Sequence, residues 1–134
     1  MAITDITDQT FQQEVLDAKR LVLMDVHMEA GCGPCRGIAP KLAEIANDLS
    51  AELKVVKLDY QHNDVVVKRF AITAFPTLLV FANGSLRGIM RGNQPMEVLQ
   101  KWIGPFVAEY VAGEQRRLAR EAQKQAESQK TQSA

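Results

Sequence analysis

Two cysteines, Cys32 and Cys35, are the residues with the clearest capacity for chemistry in this sequence. They are the only cysteines of the chain, and they stand three positions apart in the segment CGPC. In a reducing compartment such a pair is seldom a structural disulfide, because cellular reductants keep ordinary thiols reduced. The pair therefore indicates either redox catalysis or a metal site.

The elements on either side of the pair predict how the thiols are positioned. Before it runs the apolar segment LVLMDVHM, which is typical of a buried strand and is interrupted only by Asp25. After it, apolar residues recur three or four positions apart, as in an amphipathic helix: Ile38, Leu42, Ile45 and Leu49. Because a helix N-terminus stabilises an anion, we expect Cys32 to be the nucleophile, with Arg36 as a nearby cation.

Cys35 is predicted to be the resolving thiol. Residues three apart on a helix share a face, with Cβ atoms roughly 5 to 6 Å apart, so the two sulfurs can form a disulfide. Pro34 stiffens the first helical turn without losing a hydrogen bond.

The alternative is a half zinc site. Zinc usually takes four ligands, and the other candidates, His27 and His62, lack the usual paired spacing. A cluster bridged between two chains is equally unsupported. We therefore predict no metal site.

The rest of the chain predicts an α/β fold. Strands are expected at 53–59, 77–82 and 86–91, with the turn Asn83-Gly84 joining the last two into a hairpin. A short helix is expected at 63–70, and a closing helix from about Pro95. This order gives a mixed sheet of four or five strands with helices on both faces.

Composition limits the classes of function. The chain has 134 residues, 46% of them hydrophobic, and its formal net charge is zero, which gives no indication of nucleic-acid binding. No apolar run is long enough to cross a membrane, and the first residues do not resemble a secretory signal, so we expect a cytoplasmic location.

A change in composition near Gly113 predicts the domain organisation. Residues 1–113 form the expected domain, and residues 114–134 are a polar, charged extension that is either helical or disordered. The extension is either a solvated end or a helix that docks a partner or a second copy of the chain.

Several motifs in order carry a resemblance to a known family: CGPCRGIAPKLAEIA, Asp25, Lys57, Phe75-Pro76-Thr77, Asn83-Gly84 and Gly92. Together they resemble thioredoxin over residues 1 to about 108. The resemblance implies the thioredoxin fold and a dithiol reductant of protein disulfides. It also implies two kinds of partner, namely disulfide-containing client proteins and an electron donor of the thioredoxin-reductase type.

The resemblance also implies roles for individual residues. Asp25 assists proton transfer from Cys35, and Lys57 is its basic neighbour; the alternative is that Asp25 is merely paired inside the core. The substrate-binding groove is implied to comprise Gly33, Pro34, Phe75, Pro76 and Gly92. Pro76 is expected to follow a cis peptide bond; the alternative is a proline that only starts a strand. For Gly92, the alternative to a place in the groove is a bulge or bend near the end of a strand.

The sequence departs from the family just before Cys32. Gly31 stands where thioredoxins usually have tryptophan, and VHMEAG contains one extra residue, so we expect no flat aromatic surface beside the thiol. His27 either tunes Cys32 or is an ordinary buried histidine. Two alternative functions follow: a binding or adaptor module with secondary redox chemistry, and an oxidase or isomerase.

Overall fold

A five-stranded mixed sheet forms the centre of the molecule in a computed structural model that describes residues 3–133. Its strands are β1 (Ile3–Ile6), β2 (Leu21–His27), β3 (Leu53–Asp59), β4 (Thr77–Ala82) and β5 (Ser85–Arg91). They lie in the order β1-β3-β2-β4-β5, with β1, β2 and β3 parallel and β4 antiparallel to both of its neighbours. The predicted α/β fold with a mixed sheet is confirmed.

Helices cover both faces of the sheet. They are α1 (Gly33–Asp48), α2 (Asp64–Arg69) and α3 (Met96–Ser133), together with a π-helical turn at Gln12–Leu16 and a 3₁₀ turn at Tyr60–His62. One face buries a cluster that includes α1 and α3 residues, and the opposite face buries a cluster that includes the π-helical turn and α2. The core is therefore divided into two layers by the sheet.

Strand β2 is central, and all seven of its residues are buried. Its side chains alternate between the layers, because successive residues of a strand point to opposite faces. Met24 and Val26 pack in the α2 layer, whereas Leu21 and Leu23 pack in the α1 layer. The same alternation places Asp25 on the α1 side, the side from which the helix after the cysteines approaches.

Helix α3 continues through Gly113, so the C-terminal extension is helical as far as Ser133; Ala134 lies outside the described residues. Leu99 and Ile103 in its first turns are buried, whereas every side chain from 115 to 131 is exposed. The division of the chain at Gly113 rests on composition and stays a prediction. No helix within residues 3–133 has the length and apolar character of a membrane span.

Candidate active site

The two cysteines lie at the start of α1 and are joined by a disulfide. Their Cα atoms are 5.3 Å apart. Cys32 is the N-cap residue, with extended backbone, and the N–H of Cys35 donates to Cys32 Sγ over 3.2 Å. Four backbone N–H groups at a helix start have no intrahelical acceptor, and one of them here points at the sulfur. This is the environment that favours a thiolate when the bond is reduced.

Both cysteines of the disulfide are buried. Cys32 is 5% exposed and Cys35 6%, although Gly33 and Pro34 between them are exposed. Cys32 is covered because the carbonyl oxygen of Phe75 lies 3.8 Å from its Sγ atom. The loop before β4 therefore covers a thiol that local sequence alone would leave open.

The Phe75–Pro76 peptide bond is cis, as predicted. Pro76 is buried, and its carbonyl oxygen accepts a 2.8 Å hydrogen bond from the N–H of Gly92. Gly92 has φ +86°, a conformation that side-chain-bearing residues rarely adopt. The structure thus brings together three of the predicted groove residues, Phe75, Pro76 and Gly92, and the first of them contacts Cys32.

Asp25 is 1% exposed, and its Oδ1 atom has no hydrogen-bond partner within residues 3–133. Burial raises the pKa of its carboxyl group from 3.8 to about 7, and the nearby charge of Lys57 opposes this shift. Lys57 stands opposite Asp25 in the pairing of β2 with β3. The alternative in which Asp25 is fully paired does not fit an orphaned oxygen, and a carboxyl that titrates near neutrality suits proton transfer.

His27 is buried at the end of β2, with its Nδ1 atom 3.7 Å from Glu29 Oε2. Burial lowers its pKa, and the charge of Lys57 lowers it further. At neutral pH the ring is therefore uncharged and supplies no cation to Cys32. His62 is exposed, and the part of the chain that the structure describes contains no group of three His, Cys, Asp or Glu residues that could hold a metal ion.

Gly37 has a packing role that its sequence position did not reveal. A Cβ atom here would collide with the side-chain amide of Asn93. That amide oxygen accepts a 2.8 Å hydrogen bond from Lys41 Nζ, which also donates to the carbonyl oxygen of Gln94 over 2.9 Å. Gly37 thus lets α1 approach the segment after Gly92, one side of the predicted groove.

Comparison with known proteins identifies this arrangement. The Thioredoxin family model matches residues 2–105. The chain belongs to the thioredoxin family. It is 38% identical over 102 residues to Thioredoxin 1 of Nostoc sp., a match that covers 76% of this chain and 94% of the relative. It is 39% identical over 90 residues to a Thioredoxin of Pseudomonas aeruginosa, covering 67% and 82%, and 31% identical over 108 residues to that of Pyropia yezoensis, covering 81% and 100%.

As a thioredoxin with a bonded cysteine pair, the protein is a thiol-disulfide oxidoreductase, and the sequence-based identification of the family is confirmed. Thioredoxins act on disulfide-containing substrates and are reduced by a reductase. The family match ends before Phe106, so most of α3 lies outside it.

The loop that contacts Cys32 also carries an aromatic ring, which stacks on a ring of the 3₁₀ turn. The rings of Tyr60 and Phe75 stack with centroids 4.9 Å apart and planes 19° from parallel. Phe75 also carries the carbonyl oxygen next to Cys32, and Tyr60 is 37% exposed. Sequence spacing did not predict this stacked pair, because it joins the 3₁₀ turn to the loop before β4.

The atypical loop before Cys32 is held by the 3₁₀ turn. Gln61 Oε1 accepts from the N–H of Ala30 over 3.0 Å, and Gln61 Nε2 donates to the carbonyl oxygen of Ala30 over 3.3 Å. Asp59 Oδ1 accepts from the N–H of Glu29 over 3.3 Å. Gly31 completes the loop with φ +75°, where tryptophan would be strained. Hydrogen bonds from the Asp59 and Gln61 side chains to the loop backbone therefore fix the entry to the active-site helix.

Replacing Gln61 with alanine removes both hydrogen bonds to Ala30. We expect the loosened loop to slow alkylation of the reduced Cys32 thiol about threefold at pH 7, because the helix start is then less firmly held against the sulfur. The measurement is the alkylation rate of reduced protein against pH, with Cys32 identified by mass spectrometry. The matched control is exposed Gln100→Ala, and equal rates in the two variants would contradict the role of Gln61.

Proposed function

We propose that this thioredoxin reduces disulfides in cytosolic proteins through a cycle of its Cys32–Cys35 pair. The observation that carries the proposal is the position of the pair: two bonded sulfurs at a helix start, with the N–H of Cys35 donating to Cys32 Sγ. The N–H group that would stabilise a negative charge on Cys32 Sγ is thus already in place, which supports Cys32 as the attacking thiolate.

In the first step, the Cys32 thiolate attacks one sulfur of the client disulfide. A bond forms between Cys32 Sγ and that sulfur, the client bond breaks, and the second client sulfur leaves as a thiolate and takes up a proton. The product is a mixed disulfide. Cys35 lies one helical turn away, with its Cα 5.3 Å from that of Cys32, and so can reach the new bond.

In the second step, Cys35 attacks Cys32 Sγ and releases the client's other sulfur. The new bond is the Cys32–Cys35 disulfide, and two electrons have passed to the client. Asp25 takes the proton from Cys35, supported by its burial, its unpaired Oδ1 atom and a pKa near neutrality. Lys57 is the positive neighbour of the resulting carboxylate.

The client chain binds in a groove beside the pair. Gly33 and Pro34 contribute exposed backbone, while Phe75, Pro76 and Gly92 form the side closed by the hydrogen bond between Gly92 and Pro76. The exposed face of Tyr60 adds an apolar contact for side chains next to the client disulfide. This surface replaces the tryptophan contact of other thioredoxins and favours different clients.

A reductase of the thioredoxin-reductase type returns the electrons, so no cofactor is bound. The cytosolic location is supported by the cysteine content, since the chain has no cysteine beyond the redox pair. Docking of a partner, or of a second copy, on the exposed C-terminal helix stays a prediction.

The test is turnover of a model protein with one accessible disulfide, in the presence of NADPH and a thioredoxin reductase. We expect catalytic reduction faster than by an equal concentration of glutathione. Cys35→Ser should stop after one turnover and accumulate one equivalent of mixed disulfide, because nothing resolves it. A wild-type rate no higher than that of glutathione would contradict the proposal.

A further inference from the structure

A cavity of about 330 Å³ opens beneath the middle of α3, at the end of the sheet where β2 begins. Its apolar part is formed by Leu21, Phe106 and Tyr110, and the β4–β5 turn closes one side. The active site follows the other end of β2, about 20 Å away for a seven-residue strand. The cavity is therefore separate from the redox site, and most of its lining lies beyond the family match.

Four arginines and two glutamates line this cavity: Arg87, Arg116, Arg117, Arg120, Glu109 and Glu114. Four positive groups against two negative ones leave a net charge of +2. Arg117 is already occupied, since it donates to Glu114 over 2.9 Å and to Glu121 over 2.7 Å. Within residues 3–133, the other three arginines form no ion pair, so three guanidinium groups remain available to a ligand.

One of these groups lies against the helix that carries it. The Nη2 atom of Arg116 lies 3.8 Å from the position that a Cβ atom of Gly113 would occupy, so the guanidinium lies over the helix at the glycine. Arg116 and Arg120 are one turn apart on α3, and Arg87 approaches from β5. The charges thus come from two elements and surround an apolar floor.

We propose that this cavity binds a small organic phosphate, with the phosphate groups on Arg87, Arg116 and Arg120 and the apolar part on Phe106 and Tyr110. Guanidinium groups donate paired hydrogen bonds to phosphate oxygens, and a phosphate has enough oxygens for several arginines. The net positive charge of the lining, which remains after Glu109 and Glu114 are counted, favours a ligand with more than one negative charge. The volume suits a small molecule, being near the lower limit of ligand pockets.

The experiment titrates the full-length, ¹⁵N-labelled protein with ADP, inorganic pyrophosphate and citrate, each at the same total ionic strength. We expect saturable shifts of the Gly113 and Tyr110 amide signals with ADP. Pyrophosphate should bind more weakly, because it leaves the apolar floor uncovered. Citrate, which has similar charge but only carboxylates, should bind least; binding as tight as that of ADP would overturn the assignment of a phosphate ligand.

Matched variants distinguish a specific binding site from a general attraction of anions to the basic side chains of the helix. Arg116→Ala with Arg120→Ala should weaken ADP binding by about tenfold or more, as expected for lost charge-assisted hydrogen bonds. Lys101→Ala with Lys130→Ala removes the same charge from exposed positions of the same helix about 15 Å or more from Arg116 and Arg120 along its axis, and should change affinity less than about twofold, since exposed distant charges are screened. Equal weakening in both pairs, or no saturation with ADP, would overturn the proposal. Disulfide reduction should be unchanged in both.

Discussion

Replacing Cys32 with serine is expected to lower disulfide reduction by about three orders of magnitude or more, the scale of removing a catalytic nucleophile. A serine hydroxyl is not ionised at neutral pH, so the N–H of Cys35 would face a neutral oxygen rather than a thiolate. The measurement is the reductase-coupled turnover described above, with unfolding followed separately. The fold should persist, because the substitution keeps a side chain that can cap α1.

Two comparisons make this prediction specific. Cys35→Ser retains the attacking thiol and should still form the mixed disulfide, whereas Cys32→Ser should form none. Both variants lose the Cys32–Cys35 bond, so any difference between them reflects the order of the chemical steps and not the loss of a crosslink. Mixed disulfide on Cys35 in the Cys32→Ser variant, at the rate of the Cys35→Ser protein, would reverse the proposed roles.

Replacing Asp25 with asparagine is expected to slow resolution of the mixed disulfide by about a hundredfold, within the range for loss of a general base. In the wild-type protein the resolution rate should rise with pH and level off above about 7, the pKa of the buried carboxyl group. The variant should lack this inflection. Rapid-mixing measurements of resolution from pH 5 to 9 test the prediction. Exposed Asp48→Asn is the control and should retain the wild-type profile.

The same substitution should change stability in a pH-dependent way. The pKa of Asp25 is raised from 3.8 to about 7 by folding, so the folded state binds a proton more tightly than the unfolded state. The stability that this tighter proton binding gives the folded state is fully present below pH 3.8 and is lost as the pH rises to about 7. Asp25→Asn avoids that loss. Its free energy of unfolding should equal that of the wild type near pH 4 and exceed it by about 4 kcal/mol at pH 8.

Denaturant unfolding of the oxidised proteins at pH 4 and pH 8 provides this measurement. Comparing the variant with the wild type at each pH cancels the titration of other groups. A stability difference that is the same at both values would show that Asp25 titrates alike in the folded and unfolded chain. It would then be an ordinary carboxylate, unsuited to accept a proton from Cys35.

The stacked Tyr60 and Phe75 rings and the Gln61 hydrogen bonds share one structural origin. Both involve the 3₁₀ turn after β3, which faces the loop before Cys32 on one side and the loop before β4 on the other. A family member without the usual tryptophan can therefore hold its active-site loop by hydrogen bonds from side chains of this turn to the loop backbone.

The sequence by itself determined the features that depend on neighbours along the chain. Apolar spacing predicted α1, the apolar run predicted β2, and Asn83-Gly84 predicted the hairpin, because helix and turn formation follow local periodicity and turn chemistry. The ability of Cys35 to bond to Cys32 was also predictable from local sequence, because residues three apart on a helix lie on the same face. With the family motifs added, the cis bond before Pro76 was also predicted.

Only the tertiary structure decided what surrounds the reactive groups. The cover over Cys32 comes from residue 75, the hydrogen bonds to Ala30 come from residue 61, and the arginine cavity joins β5 to α3. The unpaired state of Asp25 likewise depends on which donors packing brings near it. These contacts join positions about 30 or more residues apart, where burial and charge are set by how whole elements pack and local spacing carries no information.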